Sequence, residues 1–391
     1  MRVVGSIAEL KKLAKGVPKD IHRPWIDKVK IPCKCKKMME RIPDVIDVWI
    51  DAGVASFACL YYPKKKDLFK KLWPADFILE ATEQVRLWFN MLAVASFVAT
   101  GKWPYKNVYV HGMINDAQGR KMSKSLGNYI GPYEVIDNYG SDALRYYSIG
   151  GSNPGKEWHY NMDDLKIKYR YLGVLYNTAK YLKNYLDFTD INPKKLRLSK
   201  PELEEKYMIS KLNSTIKKAT EEMDKYYLNE LPWIVEDLFM ELSRWYIKMT
   251  RDKANSGSDK EKEAVAYVVY NCLFESLKLF APVAPFIVEI IYQDVFKKYE
   301  KKESIHLFDW PEADSRKIDK KLEEEMLHVN DIISLILSAR EKMNRGVRWP
   351  VKSVRIYSGI KGIDAIVSKY NDMISSRTNT WTVLFGEQKG V

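Results

Sequence analysis

The sequence predicts an α/β region followed by an all-α region. Two patterns indicate this class: a strand–helix–strand order between residues 75 and 111, and a series of amphipathic helical stripes beyond residue 200. The chain has 391 residues, of which 46% are hydrophobic, 13% aromatic and 29% charged. This length and balance predict more than one packed domain and exclude an intrinsically disordered chain.

The α/β region begins with a short apolar run at residues 75–79, which predicts a buried strand. Apolar residues then recur every three or four positions over residues 82–100, which predicts a helix that ends at Gly101. Residues 107–111 predict a second strand. This order indicates a βαβ unit, and therefore a parallel sheet with a ligand expected at the carboxyl ends of its strands.

Helical patterns dominate the rest of the chain. We expect short helices at residues 132–138 and 141–149, a longer helix within 163–188, and a boundary at the lysine-rich segment 193–200. Four further stripes predict the helices of a bundle, at residues 209–226, 233–251, 263–280 and 320–344. Residues 351–357 alternate like a strand, so a small α/β element is expected near the end.

The formal net charge is +13. Such a charge is typical of proteins that bind a polyanion such as a nucleic acid, but a solvated surface with interleaved lysines and glutamates would give the same value. The longest apolar run, residues 279–291, contains two prolines and Glu289, so it does not predict a membrane span. The amino terminus lacks a secretory signal pattern, and we expect a cytoplasmic protein.

The chain has only four cysteines, which indicates a reducing compartment rather than a disulfide framework. Cys33 and Cys35 lie in a lysine-rich run, and two thiolates at this spacing are half of a zinc site. However, zinc usually takes four ligands and no second pair is apparent, so a plain turn is the favoured alternative.

The strongest motif lies at residues 119–128, which read Gly-Arg-Lys-Met-Ser-Lys-Ser-Leu-Gly-Asn. Lys121 and Lys124, on a loop that also contains Ser123, suit a polyphosphate, because two ammonium groups stabilise negative charge that develops on a departing pyrophosphate. The loop follows the second predicted strand, at the phosphate-binding edge of a parallel sheet. The alternative is an exposed basic loop without a ligand.

Residues 121–125 are identical to the KMSKS signature, and the chain thereby resembles the class I aminoacyl-tRNA synthetases. Residues 44–53 resemble the PDVLDVWFDSG segment of the isoleucyl members, and residues 80–89 resemble their EGxDQxRGWF segment. The likeness is greatest to the archaeal and eukaryotic branch. The corresponding valyl and leucyl segments differ from residues 44–53, which favours isoleucine.

The resemblance implies roles for individual residues. Trp49 and Trp88 would flank the isoleucine side chain, and Glu80 would contact the aminoacyl-adenylate. Further adenylate and ATP contacts would come from Glu83, Gln84, His111, Gly112, Lys121, Ser123 and Lys124. The spacing of four between Glu80, Gln84 and Trp88 predicts one shared helix face.

The chain also differs from the family pattern. Ala52, Ala81, Glu83 and Leu87 stand where the family has Ser, Gly, Asp and Gly, and no HIGH-like tetrapeptide occurs in the 391 residues. The resemblance therefore implies a fragment or half of a split enzyme that is inactive alone. A separate amino-terminal half would supply the missing ATP contacts.

The implied architecture is the second half of a Rossmann-type parallel sheet, a stem-contact region and an anticodon-binding helical bundle. We expect residues 1–60 to be a segment from the editing insertion and residues 61–130 to be the half-sheet. Residues 131–192 would form the stem-contact region, residues 193–346 the bundle and residues 347–391 a small α/β element.

Magnesium would accompany ATP. Beyond about residue 195 we expect isoleucine tRNA to contact Arg251 and Lys253, with Trp245 in the core. The alternatives are a non-catalytic tRNA-binding relative and a valyl or leucyl fragment.

Overall fold

The computed structural model describes residues 1–386 except Ile46, Lys124 and Ser199. The chain divides into two compact units, residues 1–109 and 110–391. Each unit is described by itself. Among the described residues, no helix combines the length and apolar character that crossing a bilayer requires.

The first unit contains short helices and two strand pairs. Its helices are α1 (Ile7–Leu13), α2 (Val48–Gly53), α3 (Ala55–Ala58), α4 (Asp67–Leu72) and α5 (Trp88–Thr100). Its strands are β1 (Ile31–Pro32), β2 (Met38–Met39), β3 (Ala75–Ala81) and β4 (Tyr105–His111), the last of which ends in the second unit. β1 and β2 are antiparallel, and β3 pairs with β4.

The predicted strand–helix–strand unit is present, but its helix is shorter than predicted. The backbone N–H of Ala75 donates to Pro104 O (2.9 Å), so β3 and β4 begin at the same end, as parallel strands do. Residues Thr82–Val85 form a 3₁₀ turn, and the α-helix begins only at Trp88. The side chain of Gln84 accepts from Trp88 N (3.1 Å) and thereby caps the helix at that point.

The second unit is mostly helical. Its helices are α6 (Pro132–Tyr139), α7 (Ser141–Gly151), α8 (Met162–Thr189), α9 (Leu203–Asp224), α10 (Leu231–Glu241), α11 (Ile247–Met249), α12 (Arg251–Ser256), α13 (Asp259–Phe280), α14 (Pro285–Ile291), α15 (Lys320–Lys342), α16 (Ile363–Lys369) and α17 (Asn371–Thr378). Its strands are β5 (Ile114–Asn115), β6 (Trp158–His159), β7 (Val351–Tyr357) and β8 (Thr380–Gly386). β5 pairs with β6, and β7 with β8, in both cases parallel.

The bundle helices follow the predicted stripes, with three differences that have local causes. α9 begins six residues before the predicted stripe, at Leu203, because Glu202 and Glu205 form a capping box there. α13 begins four residues before the prediction, at Asp259, because Ser258 and Glu261 cap each other's backbone N–H groups. The single helix predicted for residues 233–251 is interrupted by a π-helical turn at Leu242–Tyr246 and ends at Met249. α12 then starts a new helix.

A large apolar core runs through the second unit, in addition to a smaller cluster of Val135, Tyr147, Tyr160 and Leu165. The large core extends from Ala143 in α7 and Leu182 in α8 to Leu238 in α10 and Val383 in β8. The predicted stem-contact and bundle regions therefore share buried side chains. The fold class predicted from the sequence, α/β followed by all-α, is confirmed, and the finer domain boundaries stay predictions.

A buried ion pair reinforces the contact between α8 and α10. Lys168 Nζ lies 2.5 Å from the Glu236 carboxylate and 3.5 Å from the centre of the Trp233 ring. Burial lowers the pKa of Lys168, against the opposing effect of Glu236. Trp233 Nε1 donates to Gly150 O (2.9 Å) at the end of α7, so one cluster joins three helices.

Candidate active site

In the first unit, α2 and the start of α5 bring two predicted amino-acid contacts onto adjoining elements. Trp88 Nε1 donates to Ala52 O in α2 (3.1 Å), and Trp49 lies in the same helix. The approach is close because position 53 is glycine: a Cβ there would lie 2.7 Å from Met91 O. Trp49 and Trp88 are both half-buried.

The carboxylates predicted beside these tryptophans are exposed. Glu80 lies near the end of β3 and Glu83 lies in the 3₁₀ turn, and neither forms an ion pair within the described part of the chain. The predicted common helix face of Glu80, Gln84 and Trp88 is wrong, because these residues occupy a strand, a 3₁₀ turn and a helix. Gln84 still contacts Trp88, through the cap of α5.

In the second unit, His111 and Gly112 form a tight strand end. His111 Nδ1 donates to Gly112 O (2.7 Å), which leaves Nε2 available as an acceptor. A Cβ at position 112 would lie 2.0 Å from Lys156 O, so this backbone has room only for glycine. Gly155 N donates to Val110 O (2.8 Å) and fixes the opposite segment.

The KMSKS segment follows a hairpin that is anchored on β6. Tyr160 N donates to Asn115 O (2.9 Å), and the Asn115 side chain donates to Glu157 (2.8 Å). The turn closes where Gly119 N donates to Asp116 O (2.9 Å) and Asp116 N donates to Arg120 O (2.8 Å). The KMSKS loop therefore begins at a hairpin whose backbone is held in place by hydrogen bonds, which we call the base of the loop.

Asp116 is the centre of that base. Its buried carboxylate accepts from Asn128 Nδ2 (3.0 Å), from Arg120 N (2.8 Å) and from Arg120 Nε (2.8 Å). The hydrogen bond from Asn128 and those from Arg120 hold the pKa of Asp116 well below its usual range, against the effect of burial. The carboxylate is therefore ionised and fully engaged at neutral pH.

Asn128 closes the loop from its far side. Its amide donates to Lys121 O (3.2 Å), and its carbonyl accepts from Ser123 N (2.9 Å). Ser123 Oγ in turn accepts from Leu126 N (3.2 Å). The Lys121 side chain is exposed and forms no ion pair among the described residues, whereas Lys124 lies outside the described residues.

The sequence prediction missed Asp116 and Asn128. The available signal was their position: Asp116 lies three residues before Gly119 and Asn128 directly follows Gly127, and both glycines adopt positive φ. Asp and Asn at such turns commonly bond neighbouring backbone groups.

The predicted tRNA contacts differ in their surroundings. Arg251 is exposed at the start of α12. Lys253 Nζ instead contacts three carboxylates, those of Glu202 (2.7 Å), Glu204 (2.9 Å) and Glu205 (3.2 Å). A phosphate at Lys253 would have to displace these groups, so the geometry argues against the predicted role. Trp245 is buried, as predicted.

The structure gives no support to zinc at Cys33 and Cys35. These residues lie in the turn between β1 and β2, where Cys33 N donates to Lys37 O (2.8 Å). Hydrogen bonds from Cys35 lower the pKa of Cys33. However, within the described ranges no third cysteine, histidine or carboxylate lies close enough to complete a metal site there.

The chain matches two protein families. Residues 3–161 match "tRNA synthetases class I (I, L, M and V)", and residues 205–356 match "Anticodon-binding domain of tRNA ligase". Isoleucine–tRNA ligase of Methanothrix thermoacetophila is 39% identical over 92% of the chain and 35% of its own length. That of Thermococcus kodakarensis is 35% identical over 98% of the chain and 39% of its length. The chain thus spans little more than a third of these relatives.

Solved structures show the same fold. The LeuRS of Agrobacterium radiobacter K84, in a ternary complex with tRNA and LeuAMS, has a TM-score of 0.58 and 21% identity over 74% of this chain and 36% of its own. The Mycobacterium tuberculosis methionyl-tRNA synthetase with methionyl-adenylate has a TM-score of 0.54 and 18% identity over 68% of this chain and 55% of its own. The chain therefore belongs to the class I aminoacyl-tRNA synthetases, and the relatives that it matches over nearly its whole length are isoleucine–tRNA ligases.

Proposed function

We propose that these 391 residues serve ATP-dependent ligation of isoleucine to its tRNA. The observation that carries the proposal is the base of the KMSKS loop. The Asp116 carboxylate accepts hydrogen bonds from Asn128 and Arg120, and Lys121 is exposed and forms no ion pair among the described residues. A basic loop that is held this way is preorganised for an anionic substrate, since its charge needs no rearrangement before binding.

The reaction has two steps. A carboxylate oxygen of isoleucine attacks the α-phosphorus of ATP, and the bond to the leaving pyrophosphate breaks. A ribose hydroxyl at the end of the tRNA then attacks the carbonyl carbon of the adenylate, and AMP leaves with the bonding electrons. No covalent enzyme intermediate is required, so catalysis depends on positioning and on charge stabilisation.

On the phosphate side, Lys121 and Lys124 would stabilise the charge that grows on pyrophosphate in the first step. His111 and Gly112 would form the nucleotide contact that the family pattern implies, and the Nε2 atom of His111 is not used by the hydrogen bond to Gly112. Magnesium would enter bound to the ATP phosphates and share their charge.

On the amino-acid side, Trp49 and Trp88 would wall the branched side chain of isoleucine. An indole offers a large apolar surface, and the hydrogen bond from Trp88 Nε1 to Ala52 fixes the ring orientation. The free carboxylate of Glu80 would bind the ammonium group, with Glu83 and Gln84 nearby in sequence as further adenylate contacts. Arg251 would contact the tRNA backbone.

Isoleucine-dependent exchange of pyrophosphate into ATP tests the proposal. The chain is assayed alone and with the amino-terminal remainder of the Methanothrix relative supplied in trans. We expect exchange only in the mixture, with isoleucine and much less with valine or leucine, because the chain itself lacks a HIGH-like motif.

Two outcomes would count against this view. A mixture that forms a complex and binds isoleucine tRNA, but gives no exchange with any of the three amino acids, would indicate a non-catalytic tRNA-binding protein. Clear exchange by the chain alone would show that no second segment is required.

A further inference from the structure

A cleft of about 500 Å³ lies between α7, β6, α8 and α10 in the second unit. Its charged lining residues are Asp164, Lys168 and Glu236, and His159 lies beside them. Four aromatic side chains form most of the remaining wall: Tyr147, Trp158, Tyr171 and Trp233. A volume of this size is typical of sites for small organic molecules. None of the lining residues has a role in the proposed ligation.

Hydrogen bonds and close packing hold the walls of the cleft in place. Trp158 N donates to Met113 O (3.0 Å), and the Tyr147 hydroxyl accepts from Asn161 N (2.6 Å). A Cβ on Gly151 would lie 2.5 Å from Trp158 Nε1, so the indole packs directly on the backbone at the end of α7. The cleft is therefore formed before any ligand enters, as most small-molecule sites are.

The aromatic rings on the buried side of the cleft already surround one cation. Lys168 Nζ lies 3.5 Å from the centre of the Trp233 ring, 4.9 Å from that of Tyr146 and 5.4 Å from that of Tyr171. Such contacts are favourable because the face of an aromatic ring carries partial negative charge. The rings of this cleft are thus arranged around positive charge.

The charges that line the cleft leave one carboxylate uncompensated. Glu236 forms an ion pair with Lys168 (2.5 Å) and accepts from the Tyr146 hydroxyl. Asp164 lies one turn before Lys168 on α8 and is exposed, and its side chain forms no ion pair or hydrogen bond within the described part of the chain. With a neutral His159, the lining residues carry two carboxylates and one ammonium group, so their net charge is negative.

We propose that this cleft binds a small organic cation, with the charged nitrogen beside Asp164 and a flat apolar body against the indoles of Trp158 and Trp233. A free carboxylate next to aromatic rings is the combination that recognises an amine. A neutral molecule would leave Asp164 without a partner, and an anion would be repelled by both carboxylates. The inference goes beyond the proposed function, because it assigns a second ligand to a separate part of the chain.

Ligand-observed ¹H NMR titration of the full chain tests the inference with three probes of similar shape and different charge. These are the cation 2-phenylethylammonium, the neutral 2-phenylethanol and the anion phenylacetate. We expect the cation to bind about 5- to 30-fold more tightly than the alcohol, because the alcohol forms neither an ion pair with Asp164 nor a cation–π contact. Phenylacetate should bind most weakly.

Asp164→Asn removes the charge of the free carboxylate and keeps its size. This variant should bind the cation within about twofold of the alcohol and should leave the affinity for the alcohol unchanged. Asp164→Glu should retain most of the preference for the cation. The matched control is Asp163→Asn, at the preceding exposed carboxylate, which pairs with Lys166 (2.9 Å). This control should leave all three affinities unchanged.

Three results would overturn the inference. Equal binding of the three probes, or no saturable binding of any of them, would show that the cleft does not select a cation. Tightest binding of phenylacetate would instead assign the cleft to an anion at Lys168. Equal effects of Asp163→Asn and Asp164→Asn would show that only the overall charge of α8 matters. The titration requires neither ATP nor tRNA, so its outcome is independent of pyrophosphate exchange.

Discussion

Two clusters in the second unit contain a lysine and carboxylates, but the lysine is unpaired in one cluster and paired in the other, among the described residues. At the KMSKS loop, Asp116 is occupied by Asn128 and Arg120, and the neighbouring Lys121 remains exposed and without an ion pair among the described residues. At the start of α9, Lys253 contacts three glutamates. The difference shows that a lysine is available to a phosphate only where other donors satisfy the nearby carboxylates.

The pKa values reflect the same contrast. Hydrogen bonds from Asn128 and Arg120 depress the pKa of Asp116, whereas burial raises the pKa of Glu205 although Lys253 opposes it. Lys253 itself has a raised pKa, because its three carboxylates outweigh its burial. The first cluster leaves a cation available to a ligand, whereas the cation of the second cluster stabilises the fold.

Lys124→Ala is expected to have the largest effect. In the complemented system it should lower the rate of isoleucyl-adenylate formation by about 10²–10³, or roughly 3–4 kcal/mol, and leave isoleucine binding nearly unchanged, since the ammonium group acts on charge that grows in the transition state. Single-turnover kinetics measure the rate. Lys121→Ala, on the same loop, should have a smaller effect, and a loss below threefold for Lys124→Ala would refute the catalytic role.

Lys253→Met tests the other half of the comparison. Loss of the cation leaves the buried Glu205 without its partner, so the free energy of unfolding should fall by about 3 kcal/mol in urea titrations. RNA affinity should stay within twofold. Lys166→Met, at the exposed pair with Asp163, is the control and should leave the free energy of unfolding nearly unchanged. A stable Lys253→Met variant with reduced RNA affinity would restore the phosphate role.

Asp116→Ala should convert the fixed loop into a mobile one. Asn128 and Arg120 lose their common acceptor, so Lys121 is no longer held in place, and adenylate formation should slow by roughly 10- to 100-fold with isoleucine binding intact. Asp163→Ala, at an exposed carboxylate on α8, should leave the rate unchanged. Equal rates for both variants would show that the base of the loop does not position the lysines.

The smallest effect concerns pH. The depressed pKa of Asp116 stabilises the fold above its ordinary value of 3.8, and this contribution is lost as the pH falls below that value. Glu205 has the opposite sign: its raised pKa makes its ionisation unfavourable as the pH rises above 4.5. Carboxyl-carbon NMR titration should find Asp116 ionised at pH 3 and the midpoint of Glu205 above the usual glutamate value of 4.5. The reverse order would contradict both assignments.

Local patterns predicted most of the fold. The strand at 351–357 and the helices α6 and α15 lie within a few residues of their predicted bounds, because period and caps are properties of short segments. β8 was not predicted. Its pairing with β7 is a parallel contact across more than twenty residues, and nothing in the segment Thr380–Gly386 specifies that partner.

The residues of the candidate site that belong to a sequence motif could be predicted. The residues whose role depends on contacts with distant parts of the chain could not. Residues 121–125 and Trp88 were identified from signatures in the sequence. Lys253 could not be judged in the same way, since its three carboxylates lie 48 or more residues earlier and on another helix. The hydrogen bond by which Gln84 caps α5 was also not predicted, because the four-residue spacing of Gln84 and Trp88 is equally typical of a continuous helix.

The tight backbone at Gly112 has a genetic consequence. A Cβ at this position would lie 2.0 Å from Lys156 O, a main-chain atom that cannot rotate aside. Every amino-acid replacement that one nucleotide change in a glycine codon can produce carries a Cβ. The only single-nucleotide changes this codon tolerates are therefore silent ones, and a saturation library at position 112 should return glycine alone.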